Sequence, residues 1–347
     1  MSLRQDPPIE PLLSSPRSNR PLQVVITVIA FLGLAFVAVA LVARRTPVTT
    51  MPHLVISVGA TFVPLIAVAV LALAIASRRT LTVLISVLFV IASVAIQVSW
   101  YFFGHPPKVG RATEIRVLSS NLRLGRADAQ SFVGLARESA DVVTVAELTS
   151  EALDRFNAAG MGSQFPYSVL LPSAGAGGLG LWSRYPLTKM TAPRHRAVIM
   201  PAARIKVPGV ELDPLVASVH IMSPVAGDEN TIDDWRRSMA AAKAQLDNFA
   251  NAAGDAALII GGDYNSTPDM RQYRDLLTNG FRDAVEQTGS GYGPTFKADS
   301  WLPPVITIDH VLTRNAAAAS IRTVKIKGSD HRALLATIQV PLAPNTN

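Results

Sequence analysis

The chain has 347 residues and no cysteine, which excludes a disulfide framework and any thiolate metal site. Its hydrophobic fraction of 49% and mean hydropathy of +0.29 are high for a water-soluble protein, and the excess sits at the N-terminal end. The net charge of +7 does not mark a nucleic-acid-binding face: residues 1–111 hold nine of the 32 Lys/Arg and two of the 25 acids, leaving 23 of each sign beyond them.

Residues 1–20 are rich in Pro, Ser and Arg, with little to bury, and read as a disordered cytoplasmic tail. Three charge-free apolar stretches follow, Leu22–Val42, Leu54–Ala76 and Leu81–Phe103. Each is long enough for a helix to cross the hydrocarbon core, which takes about 20 residues. Arg44-Arg45 and Arg78-Arg79 close the first two, and Trp100-Tyr101-Phe102-Phe103 stands where an aromatic belt is expected. Gly33, Ala35 and Ala38 are small enough for close helix packing. The basic residues favour the N-terminus inside by five to four, so residues 21–104 are expected to form a three-span membrane domain with the C-terminal domain outside. His105-Pro106-Pro107, in a linker of residues 105–111, reads as a short stiff tether holding that domain near the bilayer.

From residue 112 to 342 the pattern changes to short β-type runs. Strands are expected over Ile115–Ser119, Val142–Ala146, Ser168–Leu171, Leu179–Trp182, Ala202–Val207, Leu215–Val219, Leu258–Ile260, Ile306–Leu312 and Leu334–Val340. Helices are expected over Ala127–Ser139, Thr231–Asn251 and Asp269–Thr278, the second with apolar residues spaced Trp235, Met239, Ala242, Leu246 and Phe249. Many strands with helices between them predict a two-sheet α/β sandwich with helices outside.

The stretch Leu258–Asp269, LIIGGDYNSTPD, concentrates the chemistry. A buried strand ends at Gly261-Gly262, Asp263 and Asn265 follow two residues apart, and Ser266-Thr267-Pro268 forms a turn capping a helix from Asp269. Other strand ends carry similar residues. Asn121 follows the first strand, Glu147 the second, His220 the run Leu215–Val219, Asp309-His310 the residues Ile306–Ile308, and Asp330-His331 precedes the last strand. Each has a bland account alone, as a cap, a turn or a core histidine. Six such ends in one domain point to phosphate or metal chemistry.

The series SSNLR, VVTVAELTSE, GGLGLWSRYPL, VASVHIMSP, LIIGGDYNSTPD, TIDHVLT and GSDHRALLATI resembles the endonuclease/exonuclease/phosphatase (DNase I-like) superfamily, in family order across roughly 112–342. Ala146 departs from it, since the family usually has Gln before the acid. A three-span prefix resembles a membrane-anchored actinobacterial branch, associated in part with glycopeptide resistance and lipid-phosphate substrates. The resemblance implies a four-layer α/β sandwich with its site at one edge between the sheets. It implies that Asn121, Glu147 and Asp330 hold Mg2+ or Mn2+, and that Asp263 orients or deprotonates water while Asn265 holds a phosphate oxygen or the nucleophile. His331, supported by Asp309, is implied as a second base or phosphate ligand, and His220 as the group that contacts the scissile phosphate. Asp263 and His331 both stand as candidates to take the proton.

Arg123 and Arg126 are positioned to clamp a phosphate, though solvated arginines there would read the same way. The Gly-rich run Ala174–Gly178 is either a mobile substrate loop or a hairpin connection, Trp301 with Leu302-Pro303-Pro304 either an apolar wall or a packed loop, and His310 is read as structural. Together these features predict a membrane-anchored, metal-dependent phosphoesterase facing outward, with the bilayer and a phosphorylated, lipid-linked substrate as its partners. An anchored extracytoplasmic nuclease shares every catalytic residue but would need a basic track. A non-catalytic resistance or binding factor would not need the full set of polar residues.

Overall fold

The computed structural model describes residues 20–190, 197–226, 231–297, 301 and 303–344. The expected N-terminal tail thus lies, but for Arg20, outside the described residues, as does Leu302.

Helices over Arg20–Ala43, Met51–Ala76 and Thr80–Tyr101 are each long and apolar enough to cross a membrane. Leu32, Leu65 and Leu88 stand exposed on the outside of the bundle, as a lipid-facing surface requires. Inside it, Gly33 meets Val70 so closely that a Cβ on the glycine would lie 2.4 Å from Cγ2 of the valine, while Ala35 is exposed. The second helix is not continuous. A 3-10 turn over Gly59–Phe62 separates Met51–Val58 from Val63–Ala76.

Only half of the expected aromatic belt stays outside. Phe102 and Phe103 are exposed, but Tyr101 is buried in the core of the C-terminal domain and Trp100 packs against it. Val48 and Leu54 likewise join that domain's core, and the Gly291 N–H donates to the Tyr101 carbonyl at 2.7 Å. The domain is therefore seated on the helices before the proline linker is reached.

Among the described residues twelve strands, numbered along the chain, form two six-stranded sheets. The first runs β11 (Ala317–Lys325), β12 (Arg332–Pro341), β1 (Ala112–Asn121), β2 (Val142–Ala146), β4 (Leu179–Ser183), β3 (Tyr167–Leu171). The second runs β5 (Leu187–Lys189), β6 (Ala202–Ile205), β7 (Leu215–His220), β8 (Leu258–Asp263), β10 (Asp309–Arg314), β9 (Arg282–Asp283).

The side-chain period of two sorts the central strands into layers. Val142 and Ile259 point into the space between the sheets with Val117, Val216 and Val311. Val143 and Val145 point the other way, onto Phe132 and Phe156 of the helices Ala129–Ser139 and Ser150–Ala158. Leu258 and Ile260 face Trp235, Met239, Leu246 and Phe249 of the helix Thr231–Ala253. Strands covered on both faces read as continuous apolar runs, which is what VVTVA and LII are. The result is the expected four-layer sandwich.

Three strands escaped the sequence pattern for physical reasons. β5 and β9 are three and two residues long, and β11 is alanine-rich, so its pairing with β12 rather than its own propensity makes it a strand. Asp269 does not start the expected helix. That helix runs Arg271–Leu276 from Met270, and the Asp269 side chain is engaged elsewhere.

The Gly261-Gly262 pair is explained by crowding. A Cβ on Gly262 would lie 1.9 Å from the Val219 carbonyl of the neighbouring strand, and one on Gly261 would lie 2.6 Å from Thr144 Oγ1 across the sheets. Gly262→Ala is expected to destabilise the domain by about 3 kcal/mol, read as a lower unfolding midpoint in detergent, whereas Gly134→Ala, where the added Cβ meets open space, should be neutral or better.

Candidate active site

Strand direction brings the polar residues to one edge. β1 and β2 run parallel, as do β7 and β8, so Asn121, Glu147, His220 and Asp263 gather at the same ends. β10 runs antiparallel to β8 and starts at Asp309, directly opposite Asp263. The expected strand Ile306–Leu312 thus begins three residues late, Ile306 forming only an isolated bridge to Phe296, and Asp309 opens a strand rather than ending one. β12, antiparallel to β1, is entered through Asp330 and His331.

Asn121 is the hub of this edge. Its Nδ2 donates to Glu147 Oε1 and to Asp263 Oδ2, both at 3.0 Å, and its Oδ1 accepts from the Arg123 N–H at 2.8 Å. The amide thus spaces two carboxylates. The Leu124 N–H donates to Glu147 Oε2 at 2.5 Å, and the Asn265 N–H to Asp263 Oδ1 at 2.8 Å. Four of the seven non-glycine residues at positive φ among the described residues are here: Arg123, Leu124, Glu147 and Asn265. Backbone strain of this kind persists only where surrounding contacts over-determine it.

Two histidines face Asp263. His331 Nδ1 donates to Asp309 Oδ2 at 2.8 Å, and its Nε2 lies 3.8 Å from Asp263 Oδ2. His220 Nδ1 donates to the Ala176 carbonyl at 3.0 Å, leaving Nε2 3.7 Å from Asp263 Oδ2 and 3.4 Å from Asn265 Nδ2. Burial, with the Asp309 charge opposite, pushes the Asp263 carboxyl above its ordinary range, against the pull of His331 and His220. Burial alone would push the His331 imidazole down; the charges of Asp309 and Asp263 and the Asp309 hydrogen bond instead raise it to about 10.

Glu147, His220, Asp263, Asn265 and His331 form the floor of a cavity of about 600 Å³, with Asn121 and Asp309 buried behind them. Arg123, Arg126 and Asp330 stand on its wall, with the Arg123 Nε 3.8 Å from Asp330 Oδ2. Ala176 and Gly177 line it too, so the Gly-rich run between β3 and β4 is part of the site and holds His220. Gly178 permits this, because a Cβ there would lie 1.8 Å from the Leu148 carbonyl. Leu124, Ile199 and Met222 line the mouth and are 43%, 53% and 42% exposed. Trp301 is 92% exposed and so is not a packed loop residue.

The donor set suits a hard divalent cation. Glu147, Asp263 and Asp330 offer carboxylate oxygens to the cavity, and Asp309 Oδ1 is buried without a hydrogen-bond partner among the described residues. Ligand atoms of Asp263, Asp309 and His331 also lie within 4.8 Å of one another, with His331 Nδ1 committed to Asp309 Oδ2.

Residues 118–331, the span that supplies every one of these groups, match the model of the Endonuclease/Exonuclease/phosphatase family. The chain belongs to that family. As a family member it is a metal-dependent phosphoric ester hydrolase with a DNase I-like fold. No curated protein matches it in sequence. Among solved structures it is similar to an endonuclease/exonuclease/phosphatase from Bacteroides vulgatus (TM-score 0.52, 16% identity, covering 66% of this chain and 99% of that one). A Bacteroides thetaiotaomicron family protein (0.51, 14%, 66% and 99%) and a humanized D. rerio TDP2 (0.51, 16%, 65% and 98%) share the fold at the same level.

The family's sandwich thus brings together all the residues expected at the site: Asn121, Glu147, His220, Asp263, Asn265, Asp309, Asp330 and His331, with Arg123 and Arg126 at the wall. His310 is buried behind it, its Nδ1 bonded to Asp283 at 2.7 Å and its Nε2 to the Ser266 carbonyl at 3.0 Å. The sequence pattern does not single out the backbone donor Leu124 or the rim residues Ile199 and Met222, and it marks Ala176 only as part of a Gly-rich run.

Removing the Asp309 charge should release the histidine. In Asp309→Asn, NMR titration of the chelator-treated protein is expected to show the His331 imidazole titrating well below its value of about 10, since its strongest partner no longer favours the charged form.

Proposed function

We propose that this family member is a membrane-anchored phosphoesterase, hydrolysing a phosphate ester or pyrophosphate of a lipid-linked substrate on the outer face of the membrane. One observation carries the reading: a polar catalytic floor lies under an apolar rim of Leu124, Ile199 and Met222, on a domain seated directly on three apolar helices. A tethered enzyme meets a lipid substrate at high effective concentration, and an exposed apolar rim suits its hydrocarbon.

Glu147 and Asp330, with Asn121, would hold Mg2+ or Mn2+. Such an ion supplies polarisation of a phosphoryl oxygen and offsets charge on the leaving oxygen. Asp263, held by Asn121 and by the Asn265 N–H, takes the proton of the attacking water. Asn265 steadies a phosphate oxygen. His331, oriented by Asp309, donates Nε2–H to another, and His220, its Nδ1 committed to Ala176, presents Nε2 to the leaving group. The arginines Arg123 and Arg126 favour a second reading, an extracytoplasmic nuclease, but the balanced charge of residues 112–347 and the apolar rim weigh against it.

Detergent-purified protein with Mg2+ or Mn2+ is expected to release phosphate from polyprenyl pyrophosphate or a headgroup from phospholipid. Asp263→Ala and chelator should each lower the rate at least about a hundredfold. Nicking of plasmid DNA with both lipids inert would put the nuclease first. On intact cells, external protease should cleave the catalytic domain; protection until lysis would reverse the proposed orientation.

A further inference from the structure

Asp269 is six residues beyond Asp263 and only 2% exposed. The side-chain hydrogen bonds it accepts come from the three apolar helices, one donor from each. Arg44, just past the first helix, donates Nε to Oδ1 at 2.6 Å; Thr61, in the 3-10 turn that interrupts the second, donates to Oδ2 at 2.8 Å; Gln97 of the third donates Nε2 to both oxygens at 3.2 Å. Arg274 ties the same knot from behind, donating to the Pro268 and Arg44 carbonyls.

Neither half of this contact is satisfied alone. A buried carboxylate stripped of its partners is strongly destabilising, and an amide inside an apolar helix is equally poorly placed among lipid chains. Buried ion pairs are a weak way to add stability compared with apolar packing, but their directionality specifies one geometry. Apolar packing is already supplied by Val48, Leu54 and Tyr101. What the knot adds is a defined position for Asp269.

That position is connected to the chemistry by one short irregular loop. Its near end carries Asp263 and Asn265, the latter at a φ of +45°. Its middle is held by the Ser266 carbonyl on His310 Nε2 and by Trp235 Nε1 on Ser266 Oγ. Its far end is Asp269. A residue in the left-handed region stays there only if both sides of its loop are restrained.

We propose that the membrane helices are a positioning element of the active site: Arg44, Thr61 and Gln97, acting through Asp269, hold the loop that bears Asp263 and Asn265 in its reactive conformation. This rests on the reading of those two residues as the reacting groups.

The test uses the full chain in detergent with Mg2+ and bis(p-nitrophenyl) phosphate, a soluble ester that needs no bilayer. Arg44→Ala and Asp269→Asn are each expected to lower kcat about tenfold or more with KM within about twofold, because alignment rather than binding is lost. The double variant should be no worse than either single, and Arg44→Lys should recover part of the rate. Thr61→Val and Gln97→Leu remove donors while keeping the ion pair, so they report on kcat even if Asp269→Asn fails to fold. Independently of turnover, Gln97→Leu should raise hydrogen exchange across 264–270 while leaving β8 protected. Unchanged kcat and loop exchange with a lowered unfolding midpoint would overturn the proposal and leave the knot a mere fastening. Wild-type turnover by Asp263→Ala would instead overturn the catalytic reading itself, a separable result.

Discussion

Asp263 and Asp309 face each other on adjacent strands, both buried, and the rest of the site offsets the repulsion this creates. Neither carboxylate can be left without partners in a poorly solvated edge. Asn121 donates to one, His331 to the other, and His220 and the Asn265 N–H close on Asp263 from the remaining sides. A site built this way is poised for phosphoryl chemistry, because the same donors and charges that make the carboxylates tolerable can bind phosphate oxygens and move a proton.

The sandwich makes this arrangement possible through layer geometry. Each central strand is covered on both faces, so the only places where polar side chains can escape the core are the strand ends. Parallel pairing in β1–β2 and β7–β8 puts four such ends side by side, and the two antiparallel neighbours β10 and β12 bring their beginnings to the same edge. Gly261 and Gly262 let β8 run close to both Val219 and Thr144, which sets how near the two halves of the site approach.

Attachment to the apolar helices follows a different logic. Trp100, Tyr101, Val48 and Leu54 give the C-terminal domain and the helices a shared core, while Arg44, Thr61 and Gln97 give them a shared buried charge. The 3-10 turn at Gly59–Phe62 is where these meet, since it places Thr61 against a residue more than two hundred positions later in the chain. A stiff linker alone would have left the domain free to reorient. The shared core does not.

From the sequence alone the three apolar spans, the alternation of the sandwich and the polar residues at its strand ends could be read, because these depend on local period and composition. Asn121, Glu147, Asp263, Asn265 and His331 stood out since a polar residue terminating an apolar run is a local event. Which of them touch was decided only in three dimensions. Asn121 bridging Glu147 and Asp263, Asp309 opening rather than closing its strand, and β11 forming from an alanine-rich segment all depend on partners distant in sequence. Asp269 shows the limit most clearly. Beside a proline after a Ser-Thr turn it had the local features of a helix start, yet a buried carboxylate goes where donors are, and its donors lie on three helices that only the tertiary structure brings to it.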